Sequence, residues 1–483
     1  MSVSYLHGIE SIEIDDGARS IKAVKSGVIG LIGTAPVWSA SDPAPLNKIV
    51  TITDRRAGVR RFGSDYAGYS IPQALAAIFD QGGAEILVIN VFDSATHNST
   101  ATDEAVTLNA RGKATLVHPG VLATPTIKSS DGNTTYVHGD DYTWTAAGDI
   151  VRVATGDIPA EASLKASYTY ADPSKVLAAD IIGTVDPDTE EYTGMKLFEI
   201  SYSLLGLFPK VLIAPGYADQ RAVSVALDSL ASNIRAVALI DAPVGQTVQE
   251  TIEARGADSD PFNTSSERLV LCYPRVKVYD ADTDSTRLEP LSQRMAGLIS
   301  TVDDDEGYWV SPSNHEIAGI IGPERLLTAR LNDAETDVNK LNEAGIVTIF
   351  NSFGTGYRLW GNRTAAWPVE PHPKNFLAVR RTADMLAESI EFSMLEYLDR
   401  PITNVLIDAI AESVNQFIRT LIGRGGLIDG KCWFDAALNP YTEIALGHLT
   451  FSVDFMPPPP AERITFEHYM DLTMLAQLTG SAA

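Results

Sequence analysis

The sequence predicts an α/β core, a mixed sheet wound with helices. It carries an inserted all-β domain and is followed by an α+β C-terminal domain with extended N- and C-terminal arms. Apolar runs of strand length alternate with helix-length amphipathic stretches over residues 26–92 and 176–356, the pattern of strands joined by crossover helices. Residues 93–175 lack helical periodicity and are rich in Thr, Gly and Asp. Each end of the chain holds a short alternating segment with nothing beside it in sequence to cover its apolar side. Five segments follow: an arm over 1–25, the α/β domain over 26–92 plus 176–356, the β insert over 93–175, the C-terminal domain over 357–456, and a proline linker with a second arm over 457–483.

Over residues 8–17 of the first arm Ile9, Ile12 and Ile14 are the sizeable apolar residues. Ile12 and Ile14 alternate with Ser11, Glu13 and Asp15, as in a one-faced strand. Gly27-Val28-Ile29-Gly30-Leu31-Ile32-Gly33 is a continuous apolar run, the mark of a strand covered on both faces. A helix over 71–80, with Pro72 in its first turn and Gly82-Gly83 beyond its end, leads to a strand over 85–92. The alternation resumes with strands over 210–214, 236–241 and 268–273 and helices over 219–234 and 247–254. In the insert, short alternating runs stand at 115–117, 150–153 and 164–170, so a small β unit leaves the α/β domain from an exposed loop.

The C-terminal domain opens with strands over 357–360 and 376–379. A helix over 382–398 capped by Thr382 follows, then a helix over 404–421, and strands over 441–445 and 449–455. Four consecutive prolines, 457–460, make a stiff extended spacer. Beyond them Ile464, Phe466, His468 and Met470 alternate with Thr465, Glu467 and Tyr469. A strand held off the body by a rigid spacer is placed to reach a neighbour.

At 483 residues the chain is longer than one ordinary domain, and 45% hydrophobic with 20% charged residues is a soluble globular composition. That excludes wholesale disorder, collagen-like repeats and coiled-coil rods, and no apolar run has the ~18 residues of a membrane helix, so direct membrane insertion is not expected. The first residues lack the basic and apolar regions of a signal peptide, so synthesis and folding in a cytoplasm are expected. Sixty-two acidic against 37 basic residues leave a net charge of −25. Nucleic acid is thereby disfavoured as a partner, since binding it needs a basic footprint. Close partners should be basic where they touch. Cys272 and Cys432 are too few for a disulfide scaffold; two buried thiols are the plain reading, and a bond between subunits in an oxidising medium is the alternative.

Catalytic and metal readings find little support. Gly27, Gly30 and Gly33 are spaced G-x-x-G-x-x-G within a strand, whereas dinucleotide binding needs G-x-G-x-x-G at a strand-to-helix turn; close backbone packing is the better reading. Asp280, Asp282 and Asp284 imitate an EF-hand opening, but Ser285 and Leu291 stand where Gly and Glu are required. Asp303-Asp304-Asp305-Glu306 reads as a helix-end acidic turn. His315-Glu316 has Gly319 where a zinc protease needs its second His. Asp241 ends a strand without a companion nucleophile or base. No catalytic residue, cofactor or metal ligand is assigned.

The chain resembles the sheath proteins of contractile tails. Tyr5-Leu6-His7-Gly8-Ile9 and Gly30-Leu31-Ile32-Gly33-Thr34-Ala35-Pro36 are similar to the family's N-terminal arm and first core strand, and Gln81-Gly82-Gly83-Ala84 to its helix-to-strand joint. The run from Asp304 through Gly307-Tyr308-Trp309 to Pro312-Ser313-Asn314 resembles its acidic-Gly-aromatic-Pro-Asn stretch. Most specific are Trp360-Gly361-Asn362-Arg363-Thr364, similar to the family's Trp-Gly-x-Arg-Thr element, and Val379-Arg380-Arg381 leading into a helix. The likeness covers roughly residues 5–92 and 176–480 and leaves the insert outside.

The resemblance implies a structural, non-enzymatic subunit of a virion tail, assembled in the host cytoplasm. It implies stacked hexameric rings around an inner tail tube protein, contact with baseplate and tail terminator proteins, and strand exchange between neighbours through the arms. Ile9, Ile12, Ile14, Ile464, Phe466 and Met470 would lie in those arm strands, and Trp360, Gly361, Arg363, Thr364, Arg380 and Arg381 in the C-terminal core motif. With the net charge of −25, Glu388, Glu391, Glu396, Asp399 and Glu412 are candidates to face a basic tube surface. Two other classes stay open at this point: a non-contractile surface or adhesion protein built around the insert, and a hydrolase on an α/β scaffold.

Overall fold

A computed structural model describes residues 21–280, 284–351, 354 and 356–479. Its centre is an eight-stranded sheet of β1 (Ile29–Gly33), β2 (Ile49–Ile52), β3 (Ile86–Asn90), β4 (Val211–Ile213), β5 (Val237–Asp241), β6 (Leu269–Cys272), β7 (Ile346–Asn351) and β8 (Tyr357–Trp360). The spatial order is β8-β7-β6-β5-β4-β1-β3-β2. The interior pairings from β3 to β7 are parallel, and an antiparallel strand closes each edge, β2 on β3 and β8 on β7. The continuous apolar runs have the cause expected of them, since every residue of β1, β3 and β5 is buried.

Side chains alternate between two cores, as the twofold period of a strand requires. Ile29, Leu31, Val88, Ile213 and Leu239 face a cluster covered by α1 (Ser70–Phe79) through Ile71 and Ile78 and by the later helix Leu291–Asp305 through Met295 and Ile299. Ile32, Leu87, Leu212 and Ile240 face the other, where α2 (Arg221–Asn233) contributes Val223, Leu227 and Leu230. A Cβ on Gly30 would lie 2.8 Å from a Leu212 methyl, and one on Gly33 2.1 Å from Ser70 Oγ. These glycines admit neighbouring elements into van der Waals contact, the packing role read from their spacing.

Residues 98–171 form two three-stranded antiparallel sheets, one from Asn98–Thr107, Ser163–Ala171 and Thr126–Ser129, the other from Lys113–Thr115, Asp149–Arg152 and Tyr142–Trp144. Val106, Ile127, Ile150 and Leu164 give them a hydrophobic cluster of their own.

The C-terminal part departs from expectation at four places. β8 is an edge strand of the large sheet, in register Thr348↔Trp360, so the region ahead of the C-terminal helices begins later than residue 357. The helix expected at 382 starts five residues earlier, and the strand expected at 376–379 lies largely inside it. Thr382 is buried within the helix and back-bonds from Oγ1 to the Ala378 carbonyl at 2.7 Å instead of capping. Residues 441–445 form a helical turn started by Pro440, not a strand. The strand that does pair with 451–456 is Asp429–Phe434, whose Asp-Gly-Lys opening hides its alternation.

Here α3 (Leu291–Asp305) precedes α4 (Leu377–Met394) and α5 (Asn404–Gly423), and the hairpin is β9 (Asp429–Phe434) with β10 (Phe451–Met456). Met385, Leu386, Val414, Ile418, Leu421 and Cys432 form their shared core.

Candidate subunit-linking site

Both chain ends leave the body beside α4. Along its length, Ile21 is buried among Met385, Val414 and Phe417, the Val24 amide donates to Ser389 Oγ at 3.2 Å, and the Ser26 carbonyl accepts from Arg381 at 3.1 Å. At its N-terminal end, Arg363 lies between two rings, 4.1 Å from the Trp367 centroid and 3.9 Å from that of Phe376. Its guanidinium donates to Asn375 Oδ1 at 2.6 Å and forks onto both carboxylate oxygens of Glu462, just past the proline linker. The N-terminal root thus lies along residues 381–389 of the helix, and the C-terminal root is fastened just ahead of its first turn.

A charged seam ties α4 to the large sheet. Arg381 forks onto Asp303, with one arm at 2.7 Å; Arg380 reaches Glu267 at 3.0 Å and Asp384 at 2.8 Å; and Arg268 forks onto Asp384. Lys210 pairs with Glu388 and donates to the Ile234 carbonyl at 3.1 Å, and Arg235 forks onto Glu391 at 2.6 Å. The residues on α4, 381, 384, 388 and 391, recur at helical spacing, so one face carries the seam. Burial pushes the Lys210 ammonium down, and the Glu388 charge only partly opposes it. Such pairs set register and orientation more than they add stability.

The core-motif residues come together. Trp360 stacks on Phe350 at 4.7 Å. Gly361 sits at φ +128°, where a Cβ would lie 3.0 Å from the Val347 backbone, and its amide donates to Ser313 Oγ at 3.0 Å. Thr364 is buried and gives both its amide and its hydroxyl to the Asn375 carbonyl. The turn carrying Arg363 is therefore held rigid from both sides. Arg255 adds a brace that sequence reading missed, donating to the carbonyls of Ala365 at 2.8 Å and Trp367 at 2.7 Å. Lys210, Ser389, Asn415 and Glu462 were missed too; only a three-dimensional partner marks them.

Ile464, Phe466 and Met470 are 70%, 77% and 99% exposed, on an extended segment without a strand partner among the described residues. Ile9, Ile12 and Ile14 lie outside the described residues. Of the acids proposed to face a tube, Glu388 is buried in its pair with Lys210 and faces the large sheet, which corrects that assignment. Glu391 pairs with Arg235 and Glu412 with Arg419, and all four of Glu391, Glu396, Asp399 and Glu412 are exposed. Cys272 and Cys432 are buried in separate cores, and burial pushes both thiols up, so a bond between subunits does not fit this conformation.

The other sequence motifs resolve as architecture. Asp241 is fully buried and accepts from the amide and hydroxyl of Ser292 in the first turn of α3, a cap supplied from another strand. Burial pushes its carboxyl up to about 6. Asp280 and Asp284 belong to the hairpin of Val276–Asp280 and Ser285–Glu289, and Asp282 lies outside the described residues. Asp303 ends α3 as the partner of Arg381. His315 contacts Glu306 at 2.9 Å.

A body braced by buried ion pairs, with two anchored ends and an exposed apolar ribbon, defines a structural subunit made to be joined to others. The chain belongs to the phage tail sheath family. Its residues 26–91 match the tail sheath protein Gp18 domain III N-terminal region, 190–365 the phage tail sheath protein central domain, and 370–471 the phage tail sheath C-terminal domain. It is 49% identical to the tail sheath protein of Burkholderia phage BcepMu over 99% of this chain and 100% of that one. It is 26% identical to the tail sheath protein of Escherichia phage P2 over 99% of this chain and 98% of that one. In fold it is similar to the sheath of the extracellular contractile injection system PVC in the contracted state, with TM-score 0.60 and 15% identity over 98% and 100% of the two chains. The contracted helical sheath of the anti-feeding prophage gives TM-score 0.60 and 16% identity over 97% and 100%. The protein is a structural component of a contractile virion tail, not an enzyme.

Proposed function

We propose that this subunit polymerises as stacked hexameric rings around an inner tail tube and contracts from a metastable extended state, driving the tube through the target envelope. The arms of each subunit add strands to the C-terminal sheets of its neighbours, so bodies can rotate and repack without detaching. Assembly takes place in the host cytoplasm, with a baseplate at one end and a terminator at the other.

The single observation that carries this reading is the exposure of Ile464, Phe466 and Met470 on a segment whose root is fastened at Glu462. Exposed apolar side chains in a run are a surface awaiting a partner. A strand added with about five ladder bonds, each ~0.5–1.5 kcal/mol net, contributes roughly 3–7 kcal/mol per joint before ordering costs. Many joints in parallel hold a polymer while the bodies repack their other interfaces. Residues 357–455 would present the tube-facing side, with Glu396 and Asp399 the exposed acids at the end of α4.

Electron microscopy of the expressed protein tests the reading. The full chain should form hollow tubes, and chains lacking 1–20 or 461–483 should stay folded, soluble and unpolymerised. Normal tubes from either truncation would remove that arm from the account.

A further inference from the structure

We infer that the helix Arg55–Phe62 is a basic docking face for the body of a second copy of this chain, and that it receives the acidic turn over 186–191 of that copy. This rests on the polymerisation proposed above and is independent of the arms; it adds a contact between bodies.

In a chain of net charge −25, residues 47–62 carry five bases, Lys48, Arg55, Arg56, Arg60 and Arg61, against the single acid Asp54. Asp54 is spent as the helix cap, its Oδ1 accepting from the Ala57 amide at 2.8 Å. Gly58 seats the helix on α1, since a Cβ there would lie 3.0 Å from a Leu75 methyl, and Phe62 is buried on the same side. The arginines are thereby turned outward. Arg55 pairs with Asp80 at 2.5 Å and Arg61 with Asp42 at 2.8 Å. Arg56 and Arg60 are exposed and have no ion pair among the described residues. They stand four apart on one helix, where like charges repel, with exposed Val59 between them. Together with Ser41 and Arg55 these three line an open groove. Two uncompensated bases around an apolar residue, on a protein with excess acid, suit an acidic partner.

A second copy supplies one. Residues 186–191 carry Asp186, Asp188, Glu190 and Glu191. The Asp186 carboxylate is spent on the turn, accepting from the amides of Asp188 at 2.8 Å and Thr189 at 3.1 Å. Its amide donates to the Glu191 carbonyl at 2.9 Å, so the turn is firmly built. Asp188, Glu190 and Glu191 are exposed and, among the described residues, without an ion pair. Ile181, Tyr192 and Met195 root this turn in one core of the large sheet, whereas Ile52, Phe62 and Leu75 root the basic helix in the other. Helix and turn thus lie in opposite layers, and no ion pair joins them within the chain. Repeated from copy to copy, helix on turn is a heterologous contact, which closes into a ring or runs on as a helix.

Light scattering of full-length variants tests the assignment. Arg56→Glu with Arg60→Glu, or Asp188→Lys with Glu191→Lys, should raise the critical concentration for assembly about tenfold at about 0.05 M salt and less at about 0.5 M. Both double variants should melt as the wild type does. The second pair discriminates, because it moves the net charge from −25 to −21 and would aid assembly if only general repulsion counted. All four substitutions in one chain, or an equimolar mix of the two double variants, should restore the wild-type concentration. If a reversal misfolds, Arg56→Gln with Arg60→Gln should give a smaller rise in the same direction. Wild-type concentrations from both double variants, or no rescue on combining them, would overturn the proposal. Unchanged assembly with loss of binding to a DNA duplex would assign the face to a phosphate backbone, and the proposal falls. A wild type that never polymerises would remove the polymerisation reading along with it.

Discussion

Arg363 shows what one side chain can do when its surroundings are rigid. It stacks between Trp367 and Phe376 while forking onto Glu462, so it fixes the point where the C-terminal arm leaves the body. Lysine keeps the charge but loses both the fork and the flat face. We expect Arg363→Lys and Glu462→Gln to raise the rate of proteolytic cleavage within 461–470 about three- to fivefold, the equivalent of roughly 1 kcal/mol of local opening. Unchanged cleavage would show that the contact does not hold the arm. Asp241 carries a prediction about pH. Its folded carboxyl keeps a proton up to about pH 6 against 3.8 for a free aspartate, so the folded state binds more protons in that window. Stability from this group is full below pH 3.8 and is lost as pH rises through about 6. Asp241→Asn does not titrate, so its stability relative to wild type should climb between pH 4 and 7 by up to roughly 3 kcal/mol in thermal melts. At this scale the sequence was least informative: Arg363, Arg380 and Arg381 stood out through family resemblance, but nothing in a linear reading marks Glu388 as buried rather than solvated, because its partner Lys210 is 178 residues away.

Elements were legible where burial is uniform. The all-apolar runs at β1, β3 and β5 declared themselves because parallel strands between two helical layers face no water. The C-terminal elements were misread where one face is wet and the other packs on the helices beneath it. β9 mixes Asp429 and Lys431 with Trp433 and Phe434, and Tyr441–Ala445 imitates a strand although Pro440 starts a helical turn. The start of α4 was misplaced because Thr382 looks like a cap, whereas the helix begins beyond the 3-10 turn Pro373–Asn375 with buried Leu377 and Val379. α4 also holds the N-terminal arm root through Arg381 and Ser389 and meets the large sheet through the charged seam. Arg381→Ala leaves Asp303 buried and unpaired and frees the Ser26 carbonyl. Denaturant unfolding should register a loss of about 3–5 kcal/mol; a loss under 1 kcal/mol would mean that the seam is ornamental.

For the whole molecule, the exposed area is larger than that of a compact monomer. The chain exposes 25061 Å², against roughly 17,000 Å² for a compact monomer of its mass. The net charge of −25 opposes assembly, and the opposition grows as salt is removed. Light scattering should therefore show a higher critical concentration at about 0.01 M salt than at 0.15 M, where the Debye length falls from about 30 Å to about 8 Å. A concentration that rises with salt would point to ion pairs, not apolar strands, as the main joints. The most direct measurement is a density map of the assembled sheath in which residues 461–475 can be traced from Glu462 outward. The account predicts that the chain crosses to an adjacent subunit and adds a strand to its C-terminal hairpin; a chain that returns to cover its own hairpin would contradict it.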